Sequence, residues 1–391
     1  MSGDNDLTIL IPTRNRPKML GALLQFLRGC GVTHRIVVAD SSDAERLREV
    51  DDIGLGVAEI RHFPAALPIS EKLIRSLETI TTRFVVMLPD DDVTFPHAID
   101  ASLAFLIANP DHVAAQGYVL DFGIYDDTYD ISRVRWFTPS IAQSGPIDRI
   151  YNLVRRYQPF LWAVFRTDVL LNALRAVRHI PMIVFQEMTI MNAVAAQGKI
   201  ARLPHVYTLR GMEESLSSLM TTHPFYALLA HPQAFLQHYA SYRENLAGFI
   251  RAHAGPLDLA EDIVLLQTPS SAEAPPHVTT VSLEHVLDLI HTLAFGPEID
   301  GGTLNYTIQR MLGAGYPPVP VQPQWRGLQP PQEGDVVHVG PGGQRYLWRH
   351  AVLAAEPRNE IDIGAAEIER VEAQLAHYAW REPVGHGQLF Q

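Results

Sequence analysis

Three adjacent carboxylates, Asp90-Asp91-Asp92, are the residues of this sequence with the clearest potential for chemistry. They follow the short apolar run from Phe84 to Leu88, which predicts a buried strand, and Pro89. Because adjacent like charges repel, three acids at the end of a buried strand are unfavourable unless a cation neutralises them. Carboxylate oxygens suit Mg²⁺ or Mn²⁺, which commonly bridge to phosphates. An acidic loop that simply faces water is the alternative interpretation.

Polar residues also follow two predicted strands near the N-terminus. The first strand, Leu7 to Pro12, runs into Thr13-Arg14-Asn15-Arg16, and the second, Arg35 to Ala39, runs into Asp40-Ser41-Ser42-Asp43. Leucines at helical spacing from Lys18 to Gly29 connect them, so we expect a strand–helix–strand unit with parallel strands. Ligands bind at the carboxyl edge of such sheets. We therefore expect these polar groups to meet the acidic cluster there.

A nucleoside diphosphate would use this combination of groups. It requires polar contacts for the base and the ribose, a cation for the phosphates and a metal bridge. Two structural alternatives stay open: Arg14 and Arg16 make only surface contacts, and Asp40 caps a helix.

Composition narrows the class of protein. The formal charge of −12 over 391 residues argues against a general nucleic-acid binder, which needs clustered Lys and Arg. The single cysteine, Cys30, excludes an intramolecular disulfide framework and a Cys-based zinc site, and fits a reducing compartment. No apolar run has membrane-spanning length, and the N-terminus has no signal-peptide profile. We expect a cytoplasmic protein, with peripheral attachment at the inner membrane face left open.

With these motifs the sequence resembles the family-2-type glycosyltransferases of the GT-A fold, in a bacterial subgroup with an Asp-Asp-Asp metal motif. The resemblance rests on Pro12-Thr13-Arg14-Asn15-Arg16, on the strand ending at Asp40, and on the acidic cluster followed by Pro96. It implies an α/β, Rossmann-like fold with a mixed, mostly parallel sheet flanked by helices. The residues it assigns to binding of the donor are Pro12, Thr13, Arg14, Arg16, Asp40, Lys72, Asp90 and Arg210.

The acidic cluster departs from the family pattern in its register. With Pro96 as the reference, the usual first Asp falls on Pro89, and Asp91 takes the place of the main metal ligand. Asp90 and Asp92 form an Asp-x-Asp pair by themselves, so both registers stay open. The resemblance implies Mn²⁺ or Mg²⁺ on Asp91 and Asp92, and a nucleotide-sugar donor. A UDP-sugar is favoured, with GDP- and other sugars left open.

Glu187 is the candidate catalytic base. It lies eleven residues before Gly198, where the resembled family has the Asp that deprotonates the acceptor, and Gln186 replaces the acid before it. An inverting transfer needs a carboxylate to take the proton of the attacking hydroxyl. Glu has a longer side chain than the family's Asp, which moves the carboxylate oxygen by about one C–C bond. Errors of ~1 Å in the position of a catalytic group can lower the reaction rate ~10²-fold. A helix N-terminal residue favoured by the helix dipole is the structural alternative.

The resemblance fades beyond about residue 222. We expect residues 1–222 to form the GT-A-like domain and residues 223–391 a mainly helical, Pro-rich extension packed on it. That extension would shape the acceptor site or form a homo-oligomer interface. The family's metal-assisting His falls on Met212, so metal affinity is expected to be low.

The resemblance implies a metal-dependent, inverting, hexosyltransferase-like glycosyltransferase in glycan, polysaccharide or glycoconjugate biosynthesis. Its acceptor would be a glycan, a lipid-linked glycan or a protein. A non-catalytic, degenerate GT-A binding or scaffold protein is the main alternative, because Pro89, Gln186 and Met212 depart from the pattern. A sugar nucleotidyltransferase is less favoured, since Gly is absent between Leu7 and Lys18.

Overall fold

The computed structural model describes residues 6–125, 128–136, 139–155, 160–211, 232–254, 330–341, 343–353 and 363–378. Within these ranges, eleven strands form one mixed sheet. The strands are β1 Leu7–Thr13, β2 Arg35–Asp40, β3 Glu59–His62, β4 Phe84–Met87, β5 Val93–Thr94, β6 His112–Tyr125, β7 Thr128–Trp136, β8 Val164–Arg166, β9 Lys199–Gly211, β10 Val336–Val339 and β11 Arg345–Trp348. The helices are α1 Pro17–Gly29, α2 Leu47–Gly54, α3 Ile69–Leu77, α4 Pro96–Ala108, α5 Pro146–Arg155, α6 Thr167–Ala176, α7 Ile183–Gln197, α8 Pro232–Ala254, α9 His350–Leu353 and α10 Ala365–Leu375.

The first four strands form a parallel group in the order β3, β2, β1, β4. Thr13, the last residue of β1, pairs with Asp40, the last residue of β2. Leu10 of β1 pairs with Met87, the last residue of β4, three positions before Asp90. This register brings the polar ends of all three strands to one edge of the sheet. It confirms the expected GT-A-like, Rossmann-like α/β class.

Alternate residues of the central strands face two separate apolar cores. Leu10 of β1 packs in one core with side chains of α3, α6 and α7. Its neighbours Ile9 and Ile11 pack in the other core with α1 and α4. Successive side chains of a strand point to opposite faces, and a parallel sheet buried on both faces requires apolar residues at every position. Helices therefore cover both faces of this part of the sheet, and the polar ends of its strands lie at its edge.

Beyond β4 the sheet becomes mixed. β8 runs antiparallel to both β4 and β6, while β9 runs parallel to β6. The short strand β5 pairs antiparallel with β9, with Val93 opposite Leu209. The acidic turn, defined here as Asp90, Asp91 and Asp92, connects β4 to β5. This pairing therefore places the end of β9 beside the acidic turn.

The described part of the C-terminal segment adds to the same sheet. β10 and β11 form a hairpin, and β11 pairs in parallel with β7. The sequence predicted a mainly helical extension over residues 223–391, so these two strands differ from that prediction. No helix in the described ranges has the length and apolar character needed to cross a bilayer.

Helix α10 is attached to the rest of the fold through the buried carboxylate of Glu367. One oxygen, Oε1, accepts a hydrogen bond from the Val206 backbone N–H at 2.8 Å and lies 3.1 Å from His97 Nε2. Burial raises the pKa of Glu367, but the hydrogen bonds from His97 and Val206 outweigh it and hold the pKa below its ordinary value. The charged carboxylate therefore links α10 to α4 and to β9.

Glu367→Ala should destabilise the protein by about 1–3 kcal/mol at neutral pH, because the Val206 N–H loses its buried acceptor. Urea denaturation of the variant and the wild type measures this loss. Glu369→Ala is the matched control, since it removes an exposed glutamate from the same helix. Equal unfolding free energies for the two variants would show that Glu367 does not hold α10 in place.

Candidate active site

The carboxyl ends of β1, β2 and β4 bring together the three segments that the sequence singled out. Thr13 Oγ1 donates to Asp90 Oδ2 at 2.7 Å, and the Ser41 backbone N–H donates to the Thr13 carbonyl at 3.1 Å. Pro12 lies half-buried just before Thr13, opposite Ala39. The three segments therefore form one continuous polar edge, called the rim below: residues 12–16, 40–43 and 90–92.

The three acids of the acidic turn have different environments. Asp90 and Asp92 are 6% and 7% exposed, whereas the side chain of Asp91 is 47% exposed. Arg16 Nη1 lies 3.0 Å from Asp90 Oδ1 and 2.9 Å from Asp91 Oδ2. Asp92 Oδ1 accepts a long contact of 3.4 Å from the Gly211 N–H, at the end of β9. Arg16 thus supplies part of the positive charge that the acids require. Because it pairs with two carboxylates, one of them buried, the surface-contact alternative for Arg16 is wrong.

Burial raises the pKa of Asp90 above its ordinary value. The charge of Asp91 adds to this effect, while Arg16 and the hydroxyl of Thr13 oppose it. The carboxyl group of Asp90 is therefore held between two donors inside the rim. Asp91, by contrast, presents its oxygens at the surface.

Asp40 is fully buried and accepts hydrogen bonds on both carboxylate oxygens. Oδ1 accepts from the Ser42 N–H at 3.0 Å and from Ser42 Oγ at 2.5 Å, while Oδ2 lies 2.9 Å from His62 Nδ1. The other ring nitrogen of His62 lies 2.9 Å from Asp51 Oδ1. The side chain of Asp40 therefore fixes the turn after β2 and does not cap a helix. His62 was not predicted, although its place as the last residue of β3, at the same sheet edge, was a usable signal.

Asn15 joins the turn after β1 to the turn after β2. Its backbone has a φ of 55°, which is a left-handed conformation that asparagine tolerates better than most residues. The Asn15 N–H donates to Ser42 Oγ at 2.8 Å, and its side chain exchanges hydrogen bonds of 2.7 and 2.9 Å with Asp43. This fixed residue leaves Arg14 and Arg16 exposed on either side of it.

Lys72, on α3, lies beneath the rim and is only 2% exposed. Its Nζ donates to the Thr13 carbonyl at 3.0 Å and to Ser41 Oγ at 2.9 Å. Burial lowers the pKa of Lys72 to about 8, although the charges of Asp40 and Asp90 oppose this. The resemblance placed this lysine near the diphosphate. The structure shows it as a cross-link between the ends of β1 and β2.

Glu187 lies in the second turn of α7 and is partly exposed. Because the helix begins at Ile183 and has no acidic residue in its first turn, the helix-dipole alternative for Glu187 is wrong. Gln186 is buried and donates to the Ile180 carbonyl at 2.5 Å, which fixes the start of the helix. The catalytic role of Glu187 stays a prediction.

Arg210 lies near the end of β9, opposite Asp121 in the sheet. The neighbouring residue, Leu209, pairs with Val93 immediately after the acidic turn. Arg210 is partly exposed, so its position is compatible with the predicted contact to a diphosphate. The predicted departure at Met212 lies outside the described residues.

The acidic turn fits a divalent cation as a partial site. Among the described residues, no group of three or more His, Cys, Asp or Glu side chains is arranged to hold a metal ion. Asp91 nevertheless offers exposed, hard oxygen atoms, and Asp92 follows it directly. Mg²⁺ in proteins is commonly bound through one or two carboxylates, with phosphates and waters as the other ligands. A cation here would therefore need ligands from a bound phosphate compound.

Lys72→Met should change how stability depends on pH. The pKa of Lys72 is about 8 in the folded protein against 10.5 ordinarily, so the folded state loses this proton at lower pH than the unfolded chain does. Stability of the wild type relative to the variant should therefore rise between about pH 8 and 10, by up to about 1.4 kcal/mol per pH unit.

Urea denaturation at several pH values measures this slope. Lys18→Met, which removes an exposed lysine, serves as the control and should show little change in slope. If the difference in unfolding free energy between the wild type and Lys72→Met does not vary with pH, this result would contradict the lowered pKa of Lys72.

Comparison with known proteins gives only distant similarity. No protein-family model matches this chain, and no curated protein sequence matches it. The chain is similar to the solved structure of S. aureus TarS 1–349, with 13% identity and a TM-score of 0.41 over 63% of this chain and 71% of that one. It is also similar to glucosyl-3-phosphoglycerate synthase from Mycobacterium tuberculosis in complex with Mn²⁺, UDP-glucose and phosphoglyceric acid. That match has 12% identity and a TM-score of 0.37, over 62% of this chain and 80% of that one.

A third similar structure is CMP:2-keto-3-deoxy-manno-octonic acid synthetase complexed with CTP. It shows 12% identity and a TM-score of 0.34, over 52% of this chain and 91% of that one. Scores at this level describe partial similarity of fold. No residue role in this chain rests on them.

Proposed function

We propose that this chain is a metal-dependent, hexosyltransferase-like glycosyltransferase that moves a sugar from a nucleoside-diphosphate donor to a hydroxyl acceptor. The observation that carries the proposal is the rim, where Arg16 pairs with the buried Asp90 and the exposed Asp91, and exposed Arg14 lies on the same loop. Exposed cations beside an incomplete oxygen site suit a diphosphate with its metal. A UDP-sugar is the favoured donor, and GDP- or other nucleotide sugars are the alternatives.

The rim residues divide into two groups by their burial. Thr13, Asp40, Lys72 and Asp90 are buried and bonded to one another or to neighbouring turns, so they hold the site in shape. Arg14, Arg16 and Asp91 are exposed, so they meet the donor. A site whose outer groups are supported by a rigid inner layer binds with less loss of conformational freedom.

The proposed reaction is a single displacement with inversion at the anomeric carbon. Glu187 takes the proton of the acceptor hydroxyl as its oxygen attacks C1, and the nucleoside diphosphate leaves from the opposite face. Asp91 and Asp92 would hold Mn²⁺ or Mg²⁺, which would supply positive charge to the leaving diphosphate. Arg16 and Arg210 add positive charge around the same group, which stabilises the charge that develops during bond cleavage.

The acceptor is proposed to be a glycan, a lipid-linked glycan or a protein. We assign the transferase role to residues 1–222, and acceptor binding or homo-oligomer contacts to residues 223–391. The contact that Glu367 makes with β9 supports an extension that packs on the transferase part.

Titration calorimetry with UDP, GDP and CMP, and with their sugar conjugates, tests this proposal in the presence and absence of Mn²⁺. We expect one nucleotide to bind in a metal-dependent manner, and Asp91→Asn to weaken this binding at least about tenfold, because it removes a charged metal ligand. Asp168→Asn is the control, since this exposed residue lies in the first turn of α6, at the opposite edge of the sheet. If no nucleotide binds with or without metal, the chain is a binding or scaffold protein instead.

Glu187→Gln should lower the rate of sugar transfer about 10²–10⁴-fold, because the amide cannot accept the acceptor's proton. Donor binding should change little, since Glu187 acts on the acceptor. Release of nucleoside diphosphate in the presence of an acceptor mixture measures the rate, and calorimetry measures donor binding. Unchanged turnover in a folded Glu187→Gln protein would remove Glu187 from the mechanism.

A further inference from the structure

The acidic turn is closed by a side chain of the chain itself. One guanidinium nitrogen of Arg16 lies within 3.0 Å of Asp90 Oδ1 and 2.9 Å of Asp91 Oδ2. Asp91 is the exposed carboxylate at which a divalent cation would bind, so Arg16 already occupies one of its oxygens. A metal ion and a guanidinium that share one carboxylate repel each other. Metal binding therefore competes with Arg16.

The backbone around Arg16 is fixed, whereas its side chain is not buried. The Arg16 carbonyl accepts the Leu20 N–H at 3.0 Å, Asn15 is held by Ser42 and Asp43, and Pro17 begins α1. The side chain, however, is 43% exposed. Arg16 can therefore change its partner by side-chain rotation alone, without movement of the loop.

Lys72 does not have this freedom. Its amine is buried and bonded to two uncharged oxygens, the Thr13 carbonyl and Ser41 Oγ. Rotation of Lys72 would remove one donor from each of these oxygens and leave its own buried amine without these partners, which is unfavourable. Of these two cations, Arg16 is the one that can respond to a ligand.

We propose that Arg16 is an internal competitor for the metal site and that it transfers from Asp91 to the donor's diphosphate when metal and nucleotide bind together. This inference rests on the proposed function. A guanidinium binds phosphate oxygens as well as it binds carboxylates, so the transfer preserves its ionic contacts. The exchange makes binding of metal and nucleoside diphosphate mutually dependent: each ligand removes a cost from the other.

Arg16 should also affect the binding of a metal ion in the absence of nucleotide. Without nucleotide, Arg16 has no phosphate to move to, and a metal ion must displace it into water. Wild-type protein should therefore bind Mn²⁺ weakly when nucleotide is absent. Removal of Arg16 should strengthen Mn²⁺ binding, although removal of a binding residue ordinarily weakens it.

Electron paramagnetic resonance of free Mn²⁺ measures this binding on the full-length protein, with and without UDP. We expect Arg16→Gln to bind Mn²⁺ alone at least about fivefold more tightly than the wild type does. UDP should strengthen Mn²⁺ binding by at least about tenfold in the wild type, and by a clearly smaller factor in Arg16→Gln.

Two further variants separate this mechanism from a general charge effect. Arg14→Gln removes the same charge from the same loop and, in the absence of UDP, should change the affinity for Mn²⁺ by less than about twofold. Arg16→Lys keeps a cation at the position and should stay close to the wild type. Circular dichroism of each variant confirms that it is folded.

Unchanged or weaker Mn²⁺ binding by folded Arg16→Gln would overturn the inference. An equal increase in Mn²⁺ affinity in Arg14→Gln would overturn it as well. The proposed function would survive either result, provided that UDP and Mn²⁺ still bind the wild type together. If UDP does not bind the wild type with or without Mn²⁺, the proposed function fails and the inference fails with it. If GDP or CMP binds in place of UDP, the same comparison is made with that nucleotide.

Discussion

Neutralisation of two buried carboxylates, Asp40 and Asp90, is the constraint on which the carboxyl edge of the sheet depends. Burial of a charged group is unfavourable unless it is paired and hydrogen-bonded. Asp40 is satisfied by Ser42 and His62, and Asp90 by Thr13 and Arg16. The contacts of Asp90 connect the ends of β1 and β4, and those of Asp40 connect the ends of β2 and β3, while Asn15 joins the turns after β1 and β2. The same interactions that satisfy the buried charges therefore hold the rim in place.

The segment after α10 packs on the N-terminal half of the fold. Tyr378 lies edge-on against Phe26 of α1, with 5.8 Å between ring centroids, and its carbonyl accepts a hydrogen bond from the Tyr129 hydroxyl at 3.3 Å. Burial raises the pKa of Tyr378, and the charges of Tyr129, Asp92 and Asp91 add to this effect. The acidic turn therefore acts electrostatically on a residue more than 280 positions later in the chain.

The parallel part of the fold could be predicted from the sequence because its information is local. Apolar runs at β1, β2 and β4 end in polar residues, and parallel strands bring such ends to one edge. The catalytic role of Glu187 stays a prediction, and the sequence did not show where α7 begins. The start of α7 at Ile183 depends on contacts such as that of Gln186 with Ile180, which short-range patterns do not show.

Other features could not be predicted because they depend on side chains far apart in the chain. The sequence predicted that the turn with Arg16 meets the acidic cluster, but not that Arg16 itself pairs with Asp90 and Asp91. Glu367 meets Val206 across 161 residues. The pairing of β11 with β7 likewise joins Tyr346 to Tyr129. A local pattern identifies a charged residue, but its partner is set by the folded structure.

A crystal structure with UDP and Mn²⁺, recorded with anomalous scattering from manganese, would show whether this edge of the sheet binds a nucleoside diphosphate. The expected result is a nucleotide at the carboxyl ends of β1, β2 and β4, with its phosphates in hydrogen-bond contact with Arg16 and a manganese peak at Asp91. A nucleotide bound elsewhere, or a manganese peak away from the acidic turn, would contradict the assignment of this edge as a site for a nucleoside diphosphate.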